Sequence, residues 1–223
     1  MRLAWLDQRL RFPDPRFADR EGLVAIGGDL SVRRLLLAYR NGIFPWTVDP
    51  ITWWSPDPRG IFEMDGFHVS RSLAKVLKKN LFRITTDCAF RAVMIGCAES
   101  APGRRSTWIT TEFIEAYTEL HSQSHAHSLE CWQDDRLVGG IYGVSIGTFF
   151  AAESMFHRVD SASKIALFYL LKHLRDCNFT LFDVQMLTPI TRQLGGEEIP
   201  RTSYLERLAH AINRPAFFKP AQT

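Results

Sequence analysis

The sequence predicts an α+β fold in which a small N-terminal domain, rich in loops, packs on a larger domain that contains a mixed β-sheet. Regular helix and strand patterns begin only at about residue 63. There, several strand-like runs precede a strong helix and one more buried strand, an order typical of layered α+β folds. Before residue 63 the chain is rich in Pro, Trp and Gly and holds four of the six tryptophans. We therefore divide the chain into domains at residues 1–62 and 63–223.

Composition is typical of a globular protein. The 223 residues can form one large domain, or a medium-sized domain with a small one. Hydrophobic residues make up 46% and charged residues 23%, which excludes a disordered, collagen-like or coiled-coil chain. The 27 basic and 24 acidic residues leave a net charge of +3, so the placement of positive charge indicates more about partners than its sum.

The cysteines and the N-terminus predict a cytoplasmic protein. No two of the four cysteines lie closer than nine positions, so there is no Cys-x-x-Cys pair, and a disulfide scaffold is not indicated. Charged residues interrupt the N-terminal segment too early for a signal peptide. The chain also lacks a run of about 18 apolar residues, so we expect no membrane partner.

In the N-terminal domain, turn-forming residues surround a single predicted helix. Phe44-Pro45-Trp46 and the run 53–58 (WWSPDP) predict turns and loops. Asp29 or Ser31 can cap the helix, residues 35–39 fill it, and Gly42 ends it.

The larger domain shows clearer periodicity. Predicted helices cover residues 70–80, 111–121, 161–176 and 203–212. Predicted strands cover 128–133 and 180–186, and two or three more lie within 137–156, where Gly139-Gly140, Gly143 and Gly147 are expected to separate them.

The helix over residues 70–80 carries a uniformly basic face. Arg71, Lys75 and Lys78 are spaced i, i+4, i+7, which places them on one face, and Lys79 extends the patch. No acidic residue lies between positions 66 and 86. Positive charge without local counter-ions favours a phosphate backbone as the partner, although a solvated helix face explains the same pattern.

Two apolar segments end in polar side chains. Glu153 follows the apolar run 148–152, and Asp183 and Gln185 alternate along a buried strand, which predicts that they share one face. Buried polar groups need partners. The pattern fits either a structural hydrogen-bond network or a site that binds and orients an amine.

Other chemistry is poorly supported. His121 and His125 have a spacing that can bind zinc on a helix, but no Glu follows the first His as in a zinc peptidase. The sequence has no Gly-x-Ser-x-Gly nucleophile elbow, phosphate loop or dinucleotide fingerprint. We therefore expect no metal.

Ten sequence blocks point to a family. They are 22–31 (GLVAIGGDLS), 38–46 (AYRNGIFPW), 53–59 (WWSPDPR), 68–73 (HVSRSL), 107–110 (TWIT), 126–130 (AHSLE), 137–143 (LVGGIYG), 153–156 (ESMF), 162–164 (ASK) and 183–185 (DVQ). In this order, and spread over about residues 10–208, they resemble the bacterial leucyl/phenylalanyl-tRNA–protein transferase family. Several positions depart from the family pattern: Val184 stands where Cys is common, Ala152 and Ser106 stand where Gly is usual, and the loop 188–196 lacks the usual His and the Ser before Leu-Gly.

The resemblance implies an aminoacyltransferase. Leucyl-tRNA or phenylalanyl-tRNA would donate its amino acid to the free α-amine of proteins with N-terminal Arg or Lys, marking them for N-degron degradation. The larger domain would have an acetyltransferase-like (GNAT-like) fold. No metal or organic cofactor is implied, and we expect a cytoplasmic monomer.

The resemblance also assigns roles to residues. The tRNA acceptor end would lie on Arg71, Lys75, Lys78 and Lys79, mainly through phosphates. The adenosine and the aminoacyl side chain would contact Tyr39, Trp46, Trp108, Tyr117, Ile141, Phe150, Met155, Leu170 and Leu174.

The catalytic residues would be Asp183, Gln185 and Glu153. Gln185 would contact the incoming amine, Asp183 would orient Gln185 and draw off positive charge, and Glu153 would help to hold the N-terminal Arg or Lys. Aminolysis of an ester mainly requires positioning, so we expect the ribose or water to accept the proton.

Two other functions remain open at this stage. One is a related acyltransferase that uses aminoacyl-tRNA with another acceptor. The other is a non-catalytic tRNA-binding module, in which Asp183 and Gln185 are structural.

Overall fold

The computed structural model describes residues 4–100 and 107–221, so residues 1–3, 101–106 and 222–223 lie outside the description. The strands are β1 (Ala4–Leu6), β2 (Leu23–Gly27), β3 (Phe44–Val48), β4 (Ile51–Trp54), β5 (Arg59–Phe62), β6 (Arg83–Thr86), β7 (Ala126–Gln133), β8 (Arg136–Ile146), β9 (Phe149–His157), β10 (Leu181–Gln185) and β11 (Glu197–Ile199). The helices are α1 (Val32–Arg40), α2 (Arg71–Lys79), α3 (Phe90–Ala98), α4 (Thr111–Ser122), α5 (Ala162–Asp176), α6 (Pro189–Gln193) and α7 (Arg201–Ala211). None of the described helices is long and apolar enough to cross a membrane.

The N-terminal region contains a four-stranded sheet in the order β1-β2-β4-β3. The prediction of turns at Phe44-Pro45-Trp46 and at Trp53-Trp54 is therefore wrong, because these residues form β3 and β4. A proline is compatible with β3 because β3 is an edge strand. Trp53 is completely buried, and its indole N–H donates to the carbonyl of Gly27 at 2.8 Å. Aromatic residues that suggested loops are thus core residues of a small sheet.

The predicted helix of this region is confirmed as α1. The hydroxyl of Ser31 accepts a hydrogen bond from the backbone N–H of Arg34 at 3.4 Å, as an N-cap residue does. Arg34 itself is buried, pairs with Asp29 at 3.0 Å, and donates to the carbonyls of Asp7 and Arg9. One side chain therefore fixes the N-terminal segment against α1.

The larger sheet has seven strands in the order β11-β5-β10-β9-β8-β7-β6. Its strand pairs are antiparallel except β9–β10, which is parallel and is connected through α5. The predicted α+β class with a mixed sheet is confirmed. Strand β5 pairs with β10 and β11, so Arg59–Phe62 lies in the larger sheet although the sequence division placed these residues in the small domain.

Three glycines that were expected to interrupt strands lie inside β8. A Cβ atom at Gly139 would lie 2.6 Å from the Cβ atom of Ala162 at the start of α5. At Gly143 it would lie 2.2 Å from the carbonyl oxygen of Ala151. These positions, with Gly140, lack side chains because neighbouring elements approach closely, and only Gly147, at φ +58°, lies in the turn to β9.

The two faces of the larger sheet bury separate cores. One face packs under α5, and the other packs under α3, α4 and the N-terminal sheet. The second core contains Tyr39 and Trp53 from the N-terminal region together with Phe113 and Tyr117 from α4, so the two sheets share it.

The basic helix forms where the sequence predicted it. The hydroxyl of Ser70 caps α2 by accepting from the backbone N–H of Leu73 at 3.3 Å, and Asn80 ends the helix in the left-handed conformation. Leu73 is buried against the sheet, which leaves the basic side chains on the outer face.

The close approach at Gly143 yields a stability prediction. Gly143→Ala should lower the free energy of unfolding by about 1–3 kcal/mol or more, because the added methyl group overlaps backbone atoms of β9. Urea denaturation measures the loss. Ser145→Ala, on the same strand and only partly buried, is the matched control and should change stability little; equal effects of the two variants would contradict the steric explanation.

Candidate active site

A cavity of about 1260 Å³ opens where β9 and β10 separate. The parallel pairing of the two strands ends at Asp183 and Ala151, whereas β9 continues to His157. Glu153 from β9 and Gln185 from β10 line the space beyond this point. The separation of two adjacent central strands thus creates a cleft inside the sheet, with polar groups of both strands on its wall.

A β-bulge on each strand orients these two side chains. Tyr142 pairs with Ser154 and Gly143 with Ala152, so Glu153 is the extra residue on β9. On β10, Val184 is the extra residue opposite β5, and Gln185 has φ +57°. Bulges redirect side chains and are frequent beside active sites. The strict alternation that placed Asp183 and Gln185 on one face therefore does not hold.

Asp183 lies behind the cavity wall in a buried ion pair. Its carboxylate accepts two hydrogen bonds from the Arg59 guanidinium, at 2.9 and 2.6 Å, one from the Tyr204 hydroxyl at 2.9 Å, and one from the backbone N–H of Gln185 at 2.9 Å. Both charged side chains are essentially inaccessible to solvent. Asp183 thus contacts the main chain of Gln185 and not its amide group.

Arg59 is a residue that the sequence reasoning missed. Its guanidinium also donates to the carbonyl of Gly42 at 3.0 Å, and it lies over the rings of Phe44 and Tyr204. Burial alone lowers the pKa of Arg59, but the Asp183 carboxylate outweighs this effect, so the pKa is raised. The signal in the sequence was a single arginine at the first position of a buried apolar strand, because a buried arginine needs an acidic partner.

Glu153 is partly buried and has neutral partners. Its Oε1 accepts from Nε2 of Gln185 at 3.2 Å, and its Oε2 accepts from the Tyr117 hydroxyl at 3.3 Å. The hydroxyls of Tyr117 and Tyr39 are 2.5 Å apart. Burial and the charge of Asp183 raise the pKa of Glu153 to about 8, against the lowering effect of both tyrosines and Arg59. Burial also raises the pKa of both tyrosines, so they remain phenols at neutral pH.

The cavity brings together only part of the predicted pocket. Six residues that were predicted for the site line the cavity: Trp46, Trp108, Ile141, Glu153, Met155 and Gln185. Tyr39 and Tyr117 lie behind Glu153. Leu167, which was not predicted, also lines the cavity.

Three predicted pocket residues lie elsewhere. Phe150, Leu170 and Leu174 are buried in the core under α5 and do not line the cavity. Helix α5 reaches the cavity near Leu167, and each turn of a helix advances about 5.4 Å, so Leu170 and Leu174 lie progressively deeper along the same face. Sequence spacing identified the correct helix face but not the point at which that face leaves the cavity.

The basic side chains of α2 form a separate feature. Arg71, Lys75, Lys78 and Lys79 are exposed, and none of them pairs with an acidic residue in residues 4–100 or 107–221. Nearby Arg83 pairs with Asp135 at 3.4 Å. The exposed face of α2 thus carries positive charge with no counter-ion among the residues that the structure describes.

His121 takes part in local structure. Its Nδ1 lies 2.8 Å from the carbonyl oxygen of Ala126, and its ring stacks on Phe90 at 4.3 Å. The described residues contain no group of three or more side chains of His, Cys, Asp and Glu that could hold a metal ion.

Comparison with known proteins gives the class of the molecule. The profile described as "Leucyl/phenylalanyl-tRNA protein transferase" matches residues 61–209, and the N-terminal domain profile of the same family matches residues 28–57. A relative named leucyl/phenylalanyl-tRNA–protein transferase from Shewanella pealeana is 51% identical over 203 residues, which cover 89% of this chain and 86% of the relative. One of the same name from Pseudoalteromonas atlantica is 48% identical over 214 residues, 94% of this chain and 92% of the relative.

These matches define an enzyme that transfers an aminoacyl group from tRNA to a protein acceptor. The chain belongs to the leucyl/phenylalanyl-tRNA–protein transferase family.

The chain is also similar to solved structures. The structure of L-PGS from Bacillus licheniformis has a TM-score of 0.43 and 15% identity over 75% of this chain, which spans 54% of that structure. A GCN5-related N-acetyltransferase from Kribbella flavida has a TM-score of 0.39 and 12% identity over 73% of this chain, which spans 59% of that structure.

The contribution of the buried ion pair to the stability of the protein can be measured by substitution. Arg59→Met should lower the free energy of unfolding by about 3–5 kcal/mol, because Asp183 is left buried without its counter-ion. Adding Asp183→Asn should restore part of the loss. Denaturant unfolding provides both values.

Arg175→Met is the matched control, because the ion pair of Arg175 with Asp65 is exposed. It should cost less than about 1 kcal/mol. A similar loss in Arg59→Met and Arg175→Met would contradict the described role of the buried pair.

Proposed function

We propose that the protein transfers leucine or phenylalanine from its tRNA to the free α-amine of proteins that begin with Arg or Lys, and that this marks the product for degradation. The observation that carries the proposal is the convergence, in one cavity, of an aromatic wall, an apolar wall and a carboxylate–amide pair. Aminoacyl-tRNA is a cytoplasmic donor, so we place the activity in the cytoplasm. We propose that the enzyme acts as a monomer.

The aromatic and apolar walls suit the donor. Trp46 and Trp108 offer rings on which the 3′ adenosine can stack, and such a contact contributes roughly 1–3 kcal/mol per base. Ile141, Met155 and Leu167 form an apolar surface for the aminoacyl side chain. Unbranched Met155 adapts to both the leucyl and the phenylalanyl shape. Donors that branch at Cβ should fit poorly.

The carboxylate–amide pair suits the acceptor. Glu153 is a carboxyl group on the cavity wall that can pair with an acceptor carrying an ammonium group and a basic side chain, because a nearby cation favours its ionised form. Because Nε2 of Gln185 donates to Glu153, the amide oxygen of Gln185 remains to accept a hydrogen bond from the acceptor amine. Asp183 supports this arrangement from behind, by holding the backbone of Gln185.

The exposed face of α2 suits the tRNA acceptor end. Its four basic residues can contact phosphates without reading sequence, which is compatible with donors of different tRNA identity. The proposal therefore separates binding of the nucleic acid, on α2, from the chemistry, in the cavity.

Charge reversal on α2 tests the binding assignment. Lys75→Glu with Lys78→Glu should weaken tRNA binding, and the slope of log affinity against log salt should become shallower by about 1–2, because up to two phosphate contacts are lost. Filter binding across a salt series measures both. The matched control is Arg11→Glu with Arg20→Glu, which reverses two exposed arginines of the N-terminal segment and should leave affinity nearly unchanged. Equal losses in the two double variants would contradict the assignment.

Transfer itself tests the function. Radiolabelled leucyl-, phenylalanyl- and valyl-tRNA are each combined with two peptides that differ only in a free or acetylated N-terminal Arg. We expect transfer from the first two donors to the free peptide alone, and loss of transfer after ribonuclease treatment. Transfer to the acetylated peptide would indicate another acceptor chemistry, and tRNA binding without any transfer would indicate a binding module.

A further inference from the structure

We propose that Glu153, and neither Asp183 nor Gln185, takes the proton that the acceptor ammonium must lose before it attacks the aminoacyl ester. This assignment rests on the proposed function, since it requires an amine bound beside Gln185. It concerns the proton acceptor of the reaction, a role that the sequence reasoning gave to ribose or water.

Asp183 is already saturated with donors. Its two oxygens accept four hydrogen bonds, two of them from a guanidinium, and it has no exposed surface. An ionised carboxylate offers about four lone-pair sites, so no site remains for a substrate amine. An amide such as Gln185 is too weak a base to hold the proton.

Glu153 has the free capacity that Asp183 lacks. Its carboxylate accepts long hydrogen bonds from Gln185 at 3.2 Å and from Tyr117 at 3.3 Å, and the Tyr39 hydroxyl is a third donor, which leaves about one lone-pair site. Glu153 also borders the cavity directly. An amine bound to the amide oxygen of Gln185 therefore lies beside an available carboxylate.

The other acidic side chains on the cavity wall are placed differently. Among the described lining residues these are Glu99 and Asp160. Glu99 is exposed at the rim and pairs with Arg158 at 2.6 Å. Asp160 is exposed and directly precedes the N-cap residue of α5. The described structure gives neither of them a hydrogen bond to Gln185.

Five titratable or charged groups on five elements influence the carboxyl group of Glu153. They are Tyr39 from α1, Tyr117 from α4, Tyr142 from β8, Arg59 from β5 and Asp183 from β10. The pKa of about 8 that results for Glu153, chiefly through burial, lies close to the ordinary α-amine value of about 7.7–8.0. Proton transfer between groups of similar pKa meets little thermodynamic resistance.

The reaction balances with this assignment. The ammonium of the acceptor gives one proton to the Glu153 carboxylate and becomes a neutral amine. Its lone pair forms the N–C bond to the ester carbonyl carbon. When the C–O bond breaks, the departing ribose oxygen takes a second proton from the nitrogen, and the third proton stays on the new amide. Glu153 then releases its proton to water in the cavity.

The pH dependence of transfer tests the proposal. Single-turnover rates are measured from pH 6 to 9.5 with phenylalanyl-tRNA and a subsaturating peptide that begins with Arg, and spontaneous ester hydrolysis is subtracted. The reactive pair is an ionised Glu153 with an ammonium, so the wild-type rate should rise and then fall around pH 8. Without an enzyme base, only the neutral amine reacts, and the rate rises with pH to a plateau.

Glu153→Gln should lower the rate by roughly 100-fold or more and convert the bell-shaped profile into a rising one. Asp160→Asn, an exposed carboxyl on the same wall, is the matched control and should keep the bell. A wild-type profile that only rises, or a bell that persists in Glu153→Gln, would overturn the proposal.

A second variant keeps the proposal testable if Glu153→Gln does not fold. Tyr117→Phe removes a donor to Glu153 and should raise the pKa of Glu153 further above that of the amine, so the bell should become lower and its alkaline limb should move to higher pH; an unchanged profile would count against Glu153. Thermal melting and tRNA affinity verify that each variant is folded. No transfer by the wild type at any pH would refute the proposed function and this inference with it, whereas transfer without a bell refutes the inference alone.

Discussion

The ion pair between Arg59 and Asp183 holds the site together. It joins β5 to β10, and it reaches α7 through Tyr204 and the end of α1 through the carbonyl of Gly42. Removing two charges from water costs several kcal/mol per ion, and here bidentate geometry and complete hydrogen bonding offset that cost. The same carboxylate holds the backbone N–H of Gln185 at the bulge of β10. One interaction therefore supports the cavity, the bulge and, together with the shared apolar core, the contact between the N-terminal region and the larger sheet.

Two neighbouring carboxyl groups acquire different properties from their surroundings. Asp183 has a permanent cation as its partner and is sealed inside the protein. Glu153 has an amide and two phenols as its partners and borders the cavity. A buried acid with a cationic partner serves structure, whereas an acid among neutral donors can exchange a proton near neutral pH. The proposed mechanism thus divides positioning and proton transfer between adjacent strands.

The sequence predicted elements whose evidence is local. Helices α1, α2, α4 and α5 follow apolar periodicity, with serine N-caps at α1 and α2, and the structure confirms them. The sequence alone could not predict β3 and β4, because Pro45 and the run of residues 55–58 (SPDP) are turn signals, and only the pairing with neighbouring strands shows that Phe44–Val48 and Ile51–Trp54 are extended. The residues Glu153 and Gln185 were identified from polarity, but their orientation depends on bulges, which are properties of strand pairing. Arg59 was missed for the same reason, because its partner lies 124 positions away along the chain.

A structure of the enzyme with both substrates bound would test the central claim most directly. The complex would contain an amide-linked phenylalanyl-adenosine, which cannot transfer its amino acid, and a peptide that begins with Arg. The account predicts that the peptide nitrogen lies within about 3.2 Å of the Glu153 carboxylate and of the amide oxygen of Gln185, while Asp183 keeps its bonds to Arg59. A nitrogen bound to Asp183 with Arg59 displaced, or one held only at Glu99 on the rim, would contradict it.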